Sequence, residues 1–101
     1  MTYLDFMRPS DRKLALKSYV NYLKGYYSSY GLLTDTFENY GGNVLTIYFD
    51  YSITGDTKEA REYYMAMEQA QKKIKDFCKA RGFKYRMTVY NYDAYLDIWE
   101  G

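Results

Sequence analysis

The sequence predicts an α+β domain built as a two-layer sandwich, with two helices on one face of an antiparallel sheet. Three observations carry that expectation. Two stretches repeat apolar residues at helical spacing, others alternate apolar and polar residues at strand spacing, and glycines stand between them. The chain of 101 residues has room for one domain, 1–101, with no linker or low-complexity run to divide it.

The first helix is expected over roughly residues 10 to 30. Pro9-Ser10-Asp11 opens it, Leu16, Tyr19, Val20, Leu23, Tyr27 and Tyr30 recur at steps of three and four, and Gly31 closes it. A second is expected over about 57 to 81. Asp56 with Glu59 three positions on has the form of a capping box, Ala60, Tyr63, Tyr64, Met67, Ala70, Ile74, Phe77 and Cys78 mark one face, and Gly82 ends it.

Between the helices, Leu45, Ile47, Phe49, Tyr51 and Ile53 alternate with Thr46, Tyr48, Asp50 and Ser52, the period of a half-buried strand. The run Leu32 to Tyr40 precedes it across Gly41-Gly42-Asn43. A three-residue loop sets Tyr40 opposite Val44, Phe37 opposite Ile47 and Leu33 opposite Tyr51, so both apolar sets share a face. A two-residue Gly41-Gly42 loop sets Thr36 against Ile47 and sends Glu38 toward the core. The alternation selects the first register.

Phe83, Tyr85, Met87 and Val89 alternate with Lys84, Arg86, Thr88 and Tyr90 as a further strand. Tyr3 to Phe6 reads as a short first strand, and Tyr95 to Trp99 as either a last strand or one helical turn. The order strand, helix, strand, strand, helix, strand resembles the ferredoxin-like βαββαβ sandwich, or αββαβ if the N-terminal strand is absent. Leu16, Val20, Leu23, Leu45, Ile47, Phe49, Met67, Ile74, Phe77 and Met87 are expected in the core.

Composition removes several chemistries. With no His and a single Cys, the chain has no imidazole base for a Ser or Cys nucleophile, no zinc ligand set and no intrachain disulfide. Gly41-Gly42 lies between strands with no Gly-Lys-Ser or Gly-Lys-Thr after it, so no phosphate loop is present. No enzyme activity, cofactor or metal is expected. The first 20 residues carry charges throughout, which predicts neither a signal peptide nor a membrane span and a cytoplasmic location.

Near-neutrality hides a dipolar molecule. The net charge is +1, yet residues 58–86 carry nine basic and four acidic side chains, while residues 32–57 carry four acidic and none basic. Tyrosine supplies 15 residues, more than packing alone requires. On the selected register the sheet face turned away from the helices holds Glu38, Tyr40, Tyr48, Asp50, Lys84, Arg86 and Tyr90 among threonines. Tyr and Arg are the residue types that dominate protein interfaces, so these seven form the candidate partner-binding set. A second candidate surface, for RNA or single-stranded nucleic acid, combines Tyr22 and Tyr26 with Lys72, Lys73, Lys75 and Lys79.

Val44 to Tyr51 is similar to the central strand of the ferredoxin-like RNA-binding family in its aromatics. It lacks that family's basic residue and glycine, and it carries Asp50 where phosphate would be repelled. The expected function is therefore a small non-enzymatic protein-binding module with a basic, nucleic-acid-binding protein as partner. In size and style the chain is similar to phage and plasmid inhibitors of host defence such as anti-CRISPR proteins, which implies steric blocking of a nucleic-acid-processing host protein. The alternatives are the nucleic-acid module and a structural or oligomer-forming accessory protein.

Overall fold

Proline is well placed at a helix start, where its missing N–H would have no intrahelical partner. Pro9 opens helix α1 (Pro9–Tyr26) in the computed structural model, which describes residues 9–100. Leu16, Val20 and Leu23 form its buried stripe, with Tyr27 just beyond. The helix stops short of residue 30 because the chain tightens into a 3-10 turn, Ser28–Tyr30. Gly31 then takes a left-handed φ of 68° and returns its N–H to Ser28 O at 3.1 Å. This turn directs Leu32 and Leu33 into the core as loop residues.

Strand β1 (Thr36–Asn39) pairs with β2 (Val44–Asp50) in a register one residue away from the expected one. Thr36 faces Ile47, Phe37 faces Thr46, Glu38 faces Leu45 and Asn39 faces Val44. The connecting loop is Tyr40 to Asn43, and Tyr40, Gly41 and Gly42 have φ values of 55°, 67° and 87°. A tyrosine in the left-handed region is costly, so this loop is not one the apolar alternation points to. The objection to the observed register is the placement of Glu38, and the fold meets it. Among the described residues β1 is an edge strand, and Glu38 turns to the helix side, where Lys17 and Lys13 of α1 pair with it.

Helix α2 (Lys58–Arg81) is capped by Thr57 rather than Asp56. Thr57 is extended, with φ −89° and ψ 160°, and its hydroxyl accepts from Ala60 N at 3.1 Å, while Asp56 pairs with Arg61 at 3.0 Å. Gly82 ends the helix in the left-handed region, with its N–H on Cys78 O. β3 (Phe83–Val89) follows immediately, and a turn through Tyr90 to Tyr92 leads into β4 (Asp93–Glu100). The segment Tyr95 to Trp99 is thus a strand.

The sheet order is β1-β2-β4-β3 with every pair antiparallel. β2, α2 and β3 form a split βαβ unit, because β2 and β3 run parallel with β4 inserted between them. The described elements read αββαββ, so the α+β sandwich with two helices and a four-stranded antiparallel sheet is present and the ferredoxin-like order is not. The central place beside β2 is filled by β4 from the C-terminal end of the chain. The strand expected over Tyr3 to Phe6 lies outside the described residues.

One core joins the layers: Leu16, Val20, Leu23 and Tyr27 from α1 and its end, Met67, Ala70, Ile74 and Cys78 from α2, and Leu45, Ile47, Phe49, Ala94, Leu96 and Ile98 from the central strands. Phe77 and Met87, expected in the core, are half-buried at its margin. Phe77 lies at the helix seam, and Met87 sits on the edge strand β3, where the helices cover the sheet incompletely.

Candidate functional site on the open face of the sheet

Both helices pack on the face carrying Leu45, Ile47, Phe49, Ala94, Leu96 and Ile98. The pleat therefore sends the intervening residues of β2 and β4 to the other face. Strand register arranges that face in rows. Phe37, Thr46, Asp97 and Arg86 form one row across all four strands, and Asn39, Val44, Trp99 and Lys84 form the next. On the other side lie Tyr48, Tyr95 and Thr88, then Asp50 beside Asp93.

These rows enclose a shallow concavity of about 840 Å³. It is lined by the aromatics Phe37, Tyr40, Tyr90, Tyr95 and Trp99 and by the polar side chains of Asn39, Thr46, Thr88, Asp97 and Arg86, with the buried Thr46 at its floor. Hydrogen bonds hold the floor in place. Asn39 Nδ2 donates to Thr46 Oγ1 at 2.9 Å, and Thr46 Oγ1 donates to Asp97 Oδ1 at 2.7 Å. Thr46 is only 6% exposed although it sits on the outward face, so its hydroxyl has both partners from protein.

Tyr48 anchors the far end. Its hydroxyl donates to Asp93 Oδ1 at 2.5 Å, and its ring lies 5.4 Å from that of Tyr95, which meets Tyr90 edge-on at 6.0 Å. The hydrogen bond to Asp93, with the nearby carboxylate charges, pushes the Tyr48 phenol up to about 12. Asp50 is held ionised, its carboxyl lowered by hydrogen bonds from Ser52, whose N–H donates at 2.8 Å. Three carboxylates of the central strands, Asp50, Asp93 and Asp97, thus share a face with Lys84 and Arg86 of the edge strand.

Of the residues singled out from sequence, Tyr48, Asp50, Lys84, Arg86 and Tyr90 come together here. Tyr40 reaches the concavity from the β1–β2 turn rather than from a strand, 81% exposed. Glu38 does not belong: with Thr36 it lies on the helix side, a consequence of the one-residue change in register. That same change delivers Phe37, which the expected register sets opposite Ile47 on the inward face. Tyr95, Asp97 and Trp99 escape sequence reasoning as site residues, although their alternation with Ala94, Leu96 and Ile98 is a strand signal.

The second candidate set lies on the helix layer. Lys73 Nζ sits 4.5 Å from the ring centre of Tyr26 and 5.2 Å from that of Tyr27, and Tyr22 stacks beside Tyr26 at 6.5 Å. Lys72 pairs with Asp76 at 2.7 Å, which raises the lysine and lowers the carboxyl. Lys79 is exposed on the outer face. Lys75 stands on the other flank of α2, one turn from the buried Gln71 that donates to Tyr51 Oη at 2.9 Å.

Among the described residues, no helix is long and apolar enough to cross a membrane, and no group of three or more His, Cys, Asp or Glu is placed to hold a metal ion. Cys78 is free and buried, and burial pushes its thiol up to about 11. Comparison with protein-family models, with curated proteins and with solved structures finds no match.

Proposed function

We propose that the protein is a non-enzymatic binding module that docks a basic partner protein onto the open face of its sheet. One observation carries this reading, the concavity that gathers Phe37, Tyr40, Tyr90, Tyr95, Trp99 and Arg86 around the hydrogen-bonded Asn39–Thr46–Asp97 chain. Tyr, Trp and Arg around a sheltered centre are the composition of interface hot spots, and a hydrogen-bonded floor is pre-organised, so little rotamer freedom is lost on docking. Asp50, Asp93 and Asp97 give the two central strands a negative field that favours a basic partner. In its narrower form the proposal is an inhibitor of a nucleic-acid-processing host protein, whose basic groove the acidic strands would occupy. The small size and segregated charge support that form.

The test compares variants by affinity capture from host lysate. Trp99→Ala combined with Asp97→Asn should lose the captured protein, while Lys72→Glu combined with Lys79→Glu should retain it, and that protein should be basic. Loss with the helix pair and retention with the sheet pair would overturn the proposal. Trp99 is the only tryptophan, so its emission reports directly on occupation of the concavity.

A further inference from the structure

Two features of the helix layer coincide on the side of the molecule away from the proposed docking face. The first is a ladder of stacked groups along the seam between α1 and α2. Arg81 lies over Phe77 at 4.1 Å, Phe77 stacks on Tyr19 at 4.6 Å, Tyr19 on Tyr22 at 6.3 Å, Tyr22 on Tyr26 at 6.5 Å, and Lys73 closes the end at 4.5 Å from Tyr26. The inner rungs are packing, since Tyr19 and Phe77 both lie against the core. Tyr22 and Tyr26 are different. They are 64% and 63% exposed, so burial does not account for two large rings held side by side at the surface.

The second feature is charge. The C-terminal half of α2 carries Lys72, Lys73, Lys75, Lys79 and Arg81 against the single carboxylate Asp76, and Glu59, Glu62 and Glu68 all lie N-terminal to Lys72. The sheet removes the objection raised by the acidic strands. Asp50, Asp93 and Asp97 face away from the helices, and Glu38 is neutralised by Lys17 and Lys13. The ridge therefore combines cations with two exposed aromatic side chains, the pairing that binds unpaired nucleotides through phosphate attraction and base stacking. A duplex keeps its base faces stacked inside and has no use for Tyr22 or Tyr26.

We infer that the exposed Tyr22–Tyr26 ridge, with Lys73 against the Tyr26 ring and Lys72 and Lys79 exposed on the outer face of α2, is a binding site for single-stranded nucleic acid, separate from the sheet face. The site reads no base edges: bases stack on the two rings and phosphates lie toward the lysines of α2. It goes beyond the protein-docking proposal and stands or falls independently of it.

The experiment is fluorescence anisotropy of labelled oligodeoxyuridylate, oligouridylate and a DNA duplex of equal length, titrated with the full chain. At low salt both single strands should bind, with a log–log salt slope of about −2 for some three phosphates neutralised. Equal affinity for the two marks a site blind to the sugar, and a preference for one names the natural ligand class. Tyr22→Ala with Tyr26→Ala should weaken binding about tenfold or more, and Tyr22→Phe with Tyr26→Phe should restore it. Lys72→Glu with Lys79→Glu, which alters no ring, should weaken binding and flatten the salt slope. Lys75→Glu, on the other flank, should do much less. No saturable binding at low salt, duplex bound as tightly as single strand, or an unchanged affinity in the Tyr22→Ala with Tyr26→Ala variant or in the Lys72→Glu with Lys79→Glu variant would overturn the inference.

Discussion

Truncating Phe37 tests the strand register on which the open face depends. In the observed pairing Phe37 sits opposite Thr46, on the outward face of an edge strand, and is 50% exposed. Removing its ring costs only the buried half of the contact and leaves no enclosed cavity, about 1 kcal/mol. Phe49, 1% exposed in the central strand β2, is the internal reference. Its truncation opens a cavity in a close-packed layer and should cost about 3 to 5 kcal/mol. Urea unfolding of Phe37→Ala and Phe49→Ala beside the wild type, with slopes checked for constancy, reads both values directly. Equal, large losses in the two variants would mean that Phe37 faces the helices opposite Ile47, and the open face would then carry Glu38 in its place.

Tyr40→Gly should stabilise the hairpin by up to about 1 kcal/mol, because it relieves a left-handed tyrosine, while weakening partner capture by removing part of the rim; a thermal melt and a capture assay on one variant check both. Thr46→Val removes the hydroxyl that links Asn39 to Asp97 and should cost about 1 to 2 kcal/mol in urea unfolding, with Thr46→Ser retaining most of it. Folded-state phenols at Tyr48 and Tyr63 are raised to about 12 from 10.0, so their contribution to stability is complete below pH 10 and is lost as pH rises from there toward 12. Alkaline unfolding followed by circular dichroism should show that loss, and it should be smaller in Tyr48→Phe with Tyr63→Phe. Cys78, with its thiol raised to about 11 by burial, should resist thiol reagents at neutral pH and react only on unfolding.

Much of the fold is legible in the sequence because helical and strand periods are local signals. The stripe of α1, both ends of α2 to within a residue, and the inward set Leu45, Ile47 and Phe49 follow from spacing alone. The β1 register is not legible, since it turns on two facts that the apolar alternation does not carry. Tyr40 tolerates a left-handed conformation in this loop, and the lysines that satisfy Glu38 are about twenty residues away in α1. A carboxylate on the inward side of a strand reads as an error until its partner is placed.

The site inherits that limit. Tyr48, Asp50, Lys84 and Arg86 are found because they alternate with unmistakable core residues. Phe37 is misassigned along with the register, and Tyr95, Asp97 and Trp99 go unrecognised because the last segment is short enough to read as strand or helical turn. Only the sheet order, which puts β4 between β2 and β3, makes them the centre of the face. Ladder geometry at the helix seam is likewise tertiary: Tyr19 and Phe77 are 58 residues apart in sequence, with ring centres 4.6 Å apart.

Oxidative footprinting of aromatic side chains tests the central claim most directly. The captured complex, treated with nuclease to clear the helix ridge, is compared with the free protein. Phe37, Tyr90 and Trp99 around the concavity should be protected, with Tyr22 and Tyr26 modified as in the free chain. Protection of Tyr22 and Tyr26 with Trp99 and Phe37 left as reactive as before would contradict that claim, and would move the protein-binding surface from the sheet to the helices.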